Sequence, residues 1–156
     1  MRDNYILFTV ASTTYGLSSH DVAHVELVES VTRVPNVPGH VDGVVFSRGA
    51  VVPAVNLRAR FGFERIPYDS RTRLIVVQHD ARSVGFVVDA AREFVTIPAA
   101  VIQPPGDGLT GTSGRYLRGV ATLGDRMILI LDVSELLNND ELATAGADAP
   151  QPSQEK

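Results

Sequence analysis

One stretch of this chain is written twice. Gly43-Val-Val-Phe-Ser-Arg-Gly-Ala-Val-Val-Pro-Ala-Val-Asn56 and Gly119-Val-Ala-Thr-Leu-Gly-Asp-Arg-Met-Ile-Leu-Ile-Leu-Asp132 share one layout. Each opens on Gly-Val, breaks at a tight turn, resumes as an apolar run, and ends on a short polar residue at the same distance from the first glycine. A repeated strand-turn-strand-cap unit predicts two similar halves in one small protein. The copies differ at the turn, where the first has Arg48-Gly49 and the second Gly124-Asp125. A residue found in one copy only is a candidate for function, because the fold has already been built without it in the other.

Between these stretches the chain reads as strands. The apolar runs are short and rich in β-branched residues, and turn signals separate them: Tyr5–Val10, Tyr15–Ser18, Val22–Val28, Val41–Phe46, Val51–Val55, Arg73–Gln78, Ser83–Asp89, Glu93–Ile97, Arg118–Leu123 and Arg126–Leu131. In the third run, alternation puts Val22, His24, Glu26 and Val28 on one face and Ala23, Val25 and Leu27 on the other. Pro35-Asn-Val-Pro-Gly39 reads as a loop. Nine or ten such strands predict an all-β barrel or sandwich. Two short helices are expected: Leu57–Phe61, capped by Asn56, and Val133–Leu137, capped by Asp132 with Glu135 three residues on. The polar Ala-, Pro- and Gln-containing tail at 139–156 has little to bury, and disorder is expected from about Leu142 onward.

Composition excludes several functions. The chain has 156 residues, enough for one domain with its own core, and no cysteine, so disulfides and thiolate metal sites are out. That absence suits a reducing cytoplasm. The basic residues are arginines scattered singly, apart from Lys156, so no stripe indicates nucleic acid. Tyr5–Val10 is too short for a membrane span, so no membrane insertion is expected.

A few motifs bear on chemistry. Gly106-Asp-Gly-Leu-Thr-Gly111 matches a dinucleotide fingerprint literally, but Pro104-Pro105 stand where its strand should be and Gly114 follows where its helix should start. A glycine-rich surface loop is the better reading, and no cofactor is expected. His20-Asp-Val-Ala-His24 resembles the zinc-protease His-Glu-x-x-His, which works only on a helix with a further ligand; here the flanks are strand-like. No Gly-x-Ser-x-Gly is present, and Asp132 is best used as a cap. Arg48 beside Gly49 is different: a held backbone projects a guanidinium suited to carboxylates and to protein interfaces.

In order and spacing the chain resembles the CheW chemotaxis coupling family. The resemblance runs from about Tyr5 to Asn138. It is carried by Phe46-Ser-Arg-Gly49 followed by Ala50–Val55 and Asn56-Leu-Arg58, where the family hallmark has Asn-Leu-Arg-Gly, an apolar strand and Asp-Leu-Arg. Tyr15-Gly16-Leu17, Tyr68-Asp69, Val84–Asp89, Ile97-Pro98, Tyr116 with Arg118-Gly119, and Asp125–Asp132 also fit.

The resemblance implies two intertwined SH3-like five-stranded β-barrels over residues 4–138. The first is centred on about 15–80; the second covers about 81–137 and takes in the N-terminal strand. It implies a non-catalytic adaptor, located in the cytoplasm at receptor–kinase arrays. Its partners would be the cytoplasmic tip of a methyl-accepting chemoreceptor, lying in an apolar groove between the barrels, and the regulatory domain of a CheA-type histidine kinase. By position, Arg48, Gly49, Val22 and Gly43 match partner-sensitive sites, and Ala91 and Phe94 fall on the groove side of the second barrel. Phe46, Ser47 and Asn56 depart from the hallmark. His24 stands where the family has a glutamate that pairs with the hallmark arginine, and Glu26, two residues on, is expected to take over that pairing. Two other readings stand beside this one: a paralogue holding only the receptor or only the kinase, and a small metallo-hydrolase using His20 and His24.

Overall fold

The computed structural model describes residues 2–106 and 116–137. Its strands are β1 (Arg2–Val10), β2 (Thr13–Ser18), β3 (Val22–Leu27), β4 (Val41–Ser47), β5 (Ala50–Asn56), β6 (Arg73–His79), β7 (Arg82–Val88), β8 (Ala90–Pro98), β9 (Ile102–Gln103), β10 (Leu117–Leu123) and β11 (Arg126–Leu131). Helix α1 (Leu57–Arg60) follows β5, and helix α2 (Val133–Leu137) follows β11.

The strands form two sheets, ordered β8-β1-β2-β11-β10-β9 and β3-β6-β7-β5-β4. Leaving aside the two-residue β9, the two orders are the same sheet built twice. β1–β2 corresponds to β6–β7, and β10–β11 to β4–β5. Each copy contains one parallel pairing, β2 with β11 and β7 with β5. Each barrel is closed by its own chain crossing from one edge to the other. After β8, a 3-10 turn at Ala99–Val101 brings β9 against β10. After β3, the chain brings Thr32 against Val44 of β4.

The boundary between the halves differs from the expected division near residue 80. β2 belongs to the sheet of β1, and β7 completes the sheet of β3–β6. Two hairpins explain this: β1–β2 and β6–β7 are each joined by two residues, at Ala11-Ser12 and Asp80-Ala81, all with positive φ. That is the turn pattern that keeps sequential strands paired.

Three apolar clusters follow from strand alternation. Tyr5 and Leu7 fill one barrel with Ile97, Ala121, Ile128 and Ile130. Leu74, Val76 and Val87 fill the other with Val28, Val52 and Ala54. The intervening residues Ile6, Phe8, Val10, Ile75, Val77, Val84, Phe86 and Val88 meet in a third cluster where the sheets pack together. Strands buried on both faces read as unbroken apolar runs, as β1, β6 and β7 do. An aromatic row links the halves: Phe8 and Tyr15 stack at 5.9 Å between centroids, Tyr15 meets Phe61 at 5.2 Å, and Phe61 meets Tyr116 at 5.9 Å. Arg60 lies 4.9 Å from the Tyr116 ring centroid.

Both helix caps form as expected. Asn56 Oδ1 accepts from the Ala59 amide at 3.2 Å, and Asp132 Oδ1 accepts from the Glu135 amide at 3.2 Å. The glycine-rich motif at 106–111 and the tail at 139–156 lie outside the described residues, apart from Gly106.

Candidate partner-binding site

Arg48 and Gly49 form the two-residue turn of the β4–β5 hairpin, with φ +50° and +85°, closed by the Ser47–Ala50 pair. Positive φ at both central positions is the type I′ signature. The turn holds Arg48 in solvent, where among the described residues it makes no hydrogen bond or ion pair. Beneath it, Phe46 and Val51 face each other across the two strands and are 73% and 62% exposed. Pro53 sits in the same strand without breaking a ladder, because β5 meets β7 only from Ala54 onward. An exposed aromatic–aliphatic pair beside an unpaired guanidinium has the chemistry of a protein interface.

Below the turn three side chains converge. His24 Nε2 lies 2.6 Å from Glu26 Oε2 and 3.0 Å from Ser47 Oγ, and the Ser47 hydroxyl donates to Glu26 Oε2 at 2.5 Å. Since the Ser47 hydroxyl donates its proton to the Glu26 carboxylate, a hydrogen on His24 Nε2 faces two acceptors, Glu26 Oε2 and Ser47 Oγ. Burial pushes the Glu26 carboxyl up. The hydrogen bonds from Ser47 and His24, with the charges of His24 and Arg48, outweigh it and leave the group below its ordinary value.

These contacts correct the expected pairing: Glu26 is bound to His24 and Ser47, and Arg48 acts on it only through space. The face assignment in β3 is corrected too. A bulge between Val22 and His24 turns Val22 over to the side of Val25, where both pack on the inter-sheet cluster. His24 and Glu26 stay on the barrel-interior side, opposite Val76 and Leu74.

Gly43 is buried under the crossing chain. A Cβ there would stand 2.1 Å from the Thr32 carbonyl oxygen, and its φ is +148°. It therefore shapes the barrel end and offers no side chain to a partner. Ala91 packs on the inter-sheet cluster, while Phe94 on edge strand β8 is 67% exposed. Their neighbours Ala90 and Glu93 line a cleft of about 610 Å³ that also holds Arg58, Asp89 and Arg126. The Arg58 guanidinium grips Asp89 with two near-parallel bonds of 2.9 and 2.8 Å, and Arg126 reaches Glu93 at 3.2 Å. The more apolar recess, about 550 Å³, opens elsewhere, between strands β2, β10 and β11 and the segment at Ala59–Phe63, beside Tyr15, Phe61, Phe63, Val120 and Met127. Ala91 and Phe94 themselves do not line the charged cleft; across the β8–β1 ladder they stand opposite Phe8 and Ile6 of the inter-sheet cluster.

The histidine motif does not assemble. His20 is exposed, 3.7 Å from Asp3, and His24 is on a strand tied to Glu26. Among the described residues no group of three or more metal-ligating side chains could hold an ion. A second serine–histidine contact, Ser134 Oγ to His79 Nε2 at 3.1 Å, has Asp80 3.4 Å from the same nitrogen. A catalytic relay requires the acid on the opposite ring nitrogen, and neither cluster has it.

Sequence reading missed Ser47 as a buried partner of His24, although a serine at an inward position of an apolar strand was the available signal. It also missed Asp42, which accepts from Asn56, Tyr68 and Arg65 at 2.8, 2.6 and 2.8 Å and straps the 61–72 loop to the barrel.

Comparison with known proteins agrees with this architecture. The family model for the CheW-like domain matches residues 4–141. A chemotaxis protein CheW of Klebsiella aerogenes is 32% identical, over 89% of this chain and 84% of its own. Protein FrzA of Myxococcus xanthus is 29% identical, over 87% and 86%. The crystal structure of the scaffolding protein TtCheW from Thermoanaerobacter tengcongensis superposes with a TM-score of 0.78 at 30% identity, covering 85% of this chain and 90% of that one. With two SH3-like barrels repeated in one chain and a family match spanning both, this protein belongs to the CheW-like domain family.

Proposed function

We propose that this protein is a chemotaxis coupling adaptor that joins the cytoplasmic tip of a methyl-accepting chemoreceptor to the regulatory domain of a CheA-type histidine kinase. The observation that carries the reading is the β4–β5 hairpin: an Arg48 with no hydrogen bond or ion pair among the described residues, beside an exposed Phe46–Val51 pair, on a family fold matched at 4–141. Val22 and Gly43 support that surface from below, one through the inter-sheet packing and one through barrel closure. Ala91 and Phe94 stand on the other barrel as a second contact area.

The protein acts by binding, without catalysis. Its serine–histidine contacts use one ring nitrogen for both partners, and Ser47 is buried with its proton committed to Glu26. Among the described residues no helix is long and apolar enough to cross a membrane. On this reading the protein reaches arrays in the cytoplasm through its partners.

Paired pull-downs test the proposal. Purified protein should capture both a receptor-tip hairpin and a kinase regulatory domain, and capture of neither would refute it. The altered hallmark at His24, Phe46 and Ser47 favours one alternative, a paralogue holding a single partner, which the same experiment would reveal.

A further inference from the structure

The two barrels are closed differently at their hairpin ends. In the barrel of β10 and β11, Leu123 occupies the position before the turn, and, like Val95 of β8, it packs against that barrel's apolar cluster. In the barrel of β3–β7, the matching position is Ser47, 4% exposed, and the strand across from it carries His24 and Glu26. β3 and β4 are the two outer strands of their sheet and share no ladder. Among the described residues, the Thr32–Val44 bridge is the backbone link beside this gap. The His24–Ser47–Glu26 bonds span the rest of it, directly below Arg48.

We propose that His24, Ser47 and Glu26 form a side-chain clasp that closes this barrel and positions the Arg48 turn for its partner. They are positioning residues and do not themselves touch the partner. A buried hydroxyl with both a donor and an acceptor bond fixes its strand end, since leaving either polar group unpaired is costly. With the Glu26 carboxylate held inward, the Arg48 guanidinium remains free for a carboxylate on the partner. This second half rests on the reading of the Arg48 turn as a docking surface.

The test combines amide hydrogen exchange over residues 22–28 and 44–50 with binding of a receptor-tip hairpin and a CheA-type regulatory domain. Ser47→Ala and Glu26→Leu should each raise exchange there by about tenfold or more, as local opening becomes easier. Glu26→Gln, which keeps an acceptor for the serine, should not. Ser47→Ala should also weaken binding, whereas Arg48→Ala should weaken binding with exchange unchanged. If Ser47→Ala does not fold, the contrast between Glu26→Leu and Glu26→Gln decides. Unchanged exchange in both disruptive variants would overturn the clasp. Raised exchange with intact binding would overturn its positioning role. Arg48→Ala with full binding would overturn the docking reading and the positioning role together, leaving closure to be judged on exchange alone.

Discussion

The β4–β5 and β10–β11 hairpins are the same device put to different uses. Each begins just past a bulge, at Gly43 or Gly119, and each glycine lies under the chain segment that closes its barrel. Each runs into a capped helix. What differs is the turn and the residue beneath it: Arg48-Gly49 over a polar clasp, against Gly124-Asp125 over Leu123. The second turn has positive φ at Gly124 alone. The shared parts therefore belong to folding, and the unshared parts are where this chain departs from what folding needs.

The glycines should break this comparison most visibly if it is wrong. Gly43→Ala combines a left-handed φ with a backbone clash at 2.1 Å, and neither can relax without moving Thr32. A loss of about 3–5 kcal/mol in denaturant unfolding is expected. Gly119→Ala meets Ile102 Cγ2 at 2.7 Å and the Gln103 carbonyl at 2.9 Å, with φ outside the left-handed region. It should cost less, about 1–3 kcal/mol. Equal or reversed losses would show that the left-handed φ and backbone clash at Gly43 do not set its cost.

Arg48→Ala should weaken partner binding by about 1–3 kcal/mol, the range of a useful interface arginine, with stability nearly unchanged. Asp125→Ala, on the turn of the other copy, should leave binding intact in the same assay. Arg48→Gly sharpens the point. A non-glycine residue at φ +50° is strained, so glycine should stabilise the fold by about 0.5–1 kcal/mol while lowering affinity. Strain alone is no mark of function, since Ala11, Ser12, Asp80 and Ala81 share it in the other hairpins. A gain in stability that accompanies a loss in binding would be.

The smallest effect concerns pH. The Glu26 carboxyl lies below its ordinary 4.5 in the folded protein. Its contribution to stability is therefore fully present above the unfolded value and is lost as pH falls through the folded one. Unfolding free energy should decline as pH drops below about 4.5, and Glu26→Gln should flatten that decline. An identical pH profile in wild type and Glu26→Gln would mean that the clasp carries no linked proton.

Much of this was legible in the residues because the repeat is local. Turn chemistry, apolar runs and the caps Asn56 and Asp132 are written in contiguous sequence, and the internal echo fixed which hairpin matches which. The division of strands between barrels was not legible. It depends on β2 pairing in parallel with β11 and β7 with β5, contacts that join residues far apart in the chain. The β3 bulge is equally hidden, because strict alternation carries no sign of an inserted residue and so puts Val22 on the wrong face. Spacing alone pairs Glu26 with Arg48. The structure gives it to Ser47, whose inward position is set by β4 register and not by any motif.

The most direct test transplants one turn onto the other. Replacing Arg48-Gly49 with Gly-Asp, the turn of the second copy, should leave a folded protein with Tm within about 3 °C of the original. It should also lose measurable capture of the kinase regulatory domain or the receptor tip. An unfolded product would show that the turn is structural, and full retention of both partners would show that the Arg48 turn is not where this adaptor binds.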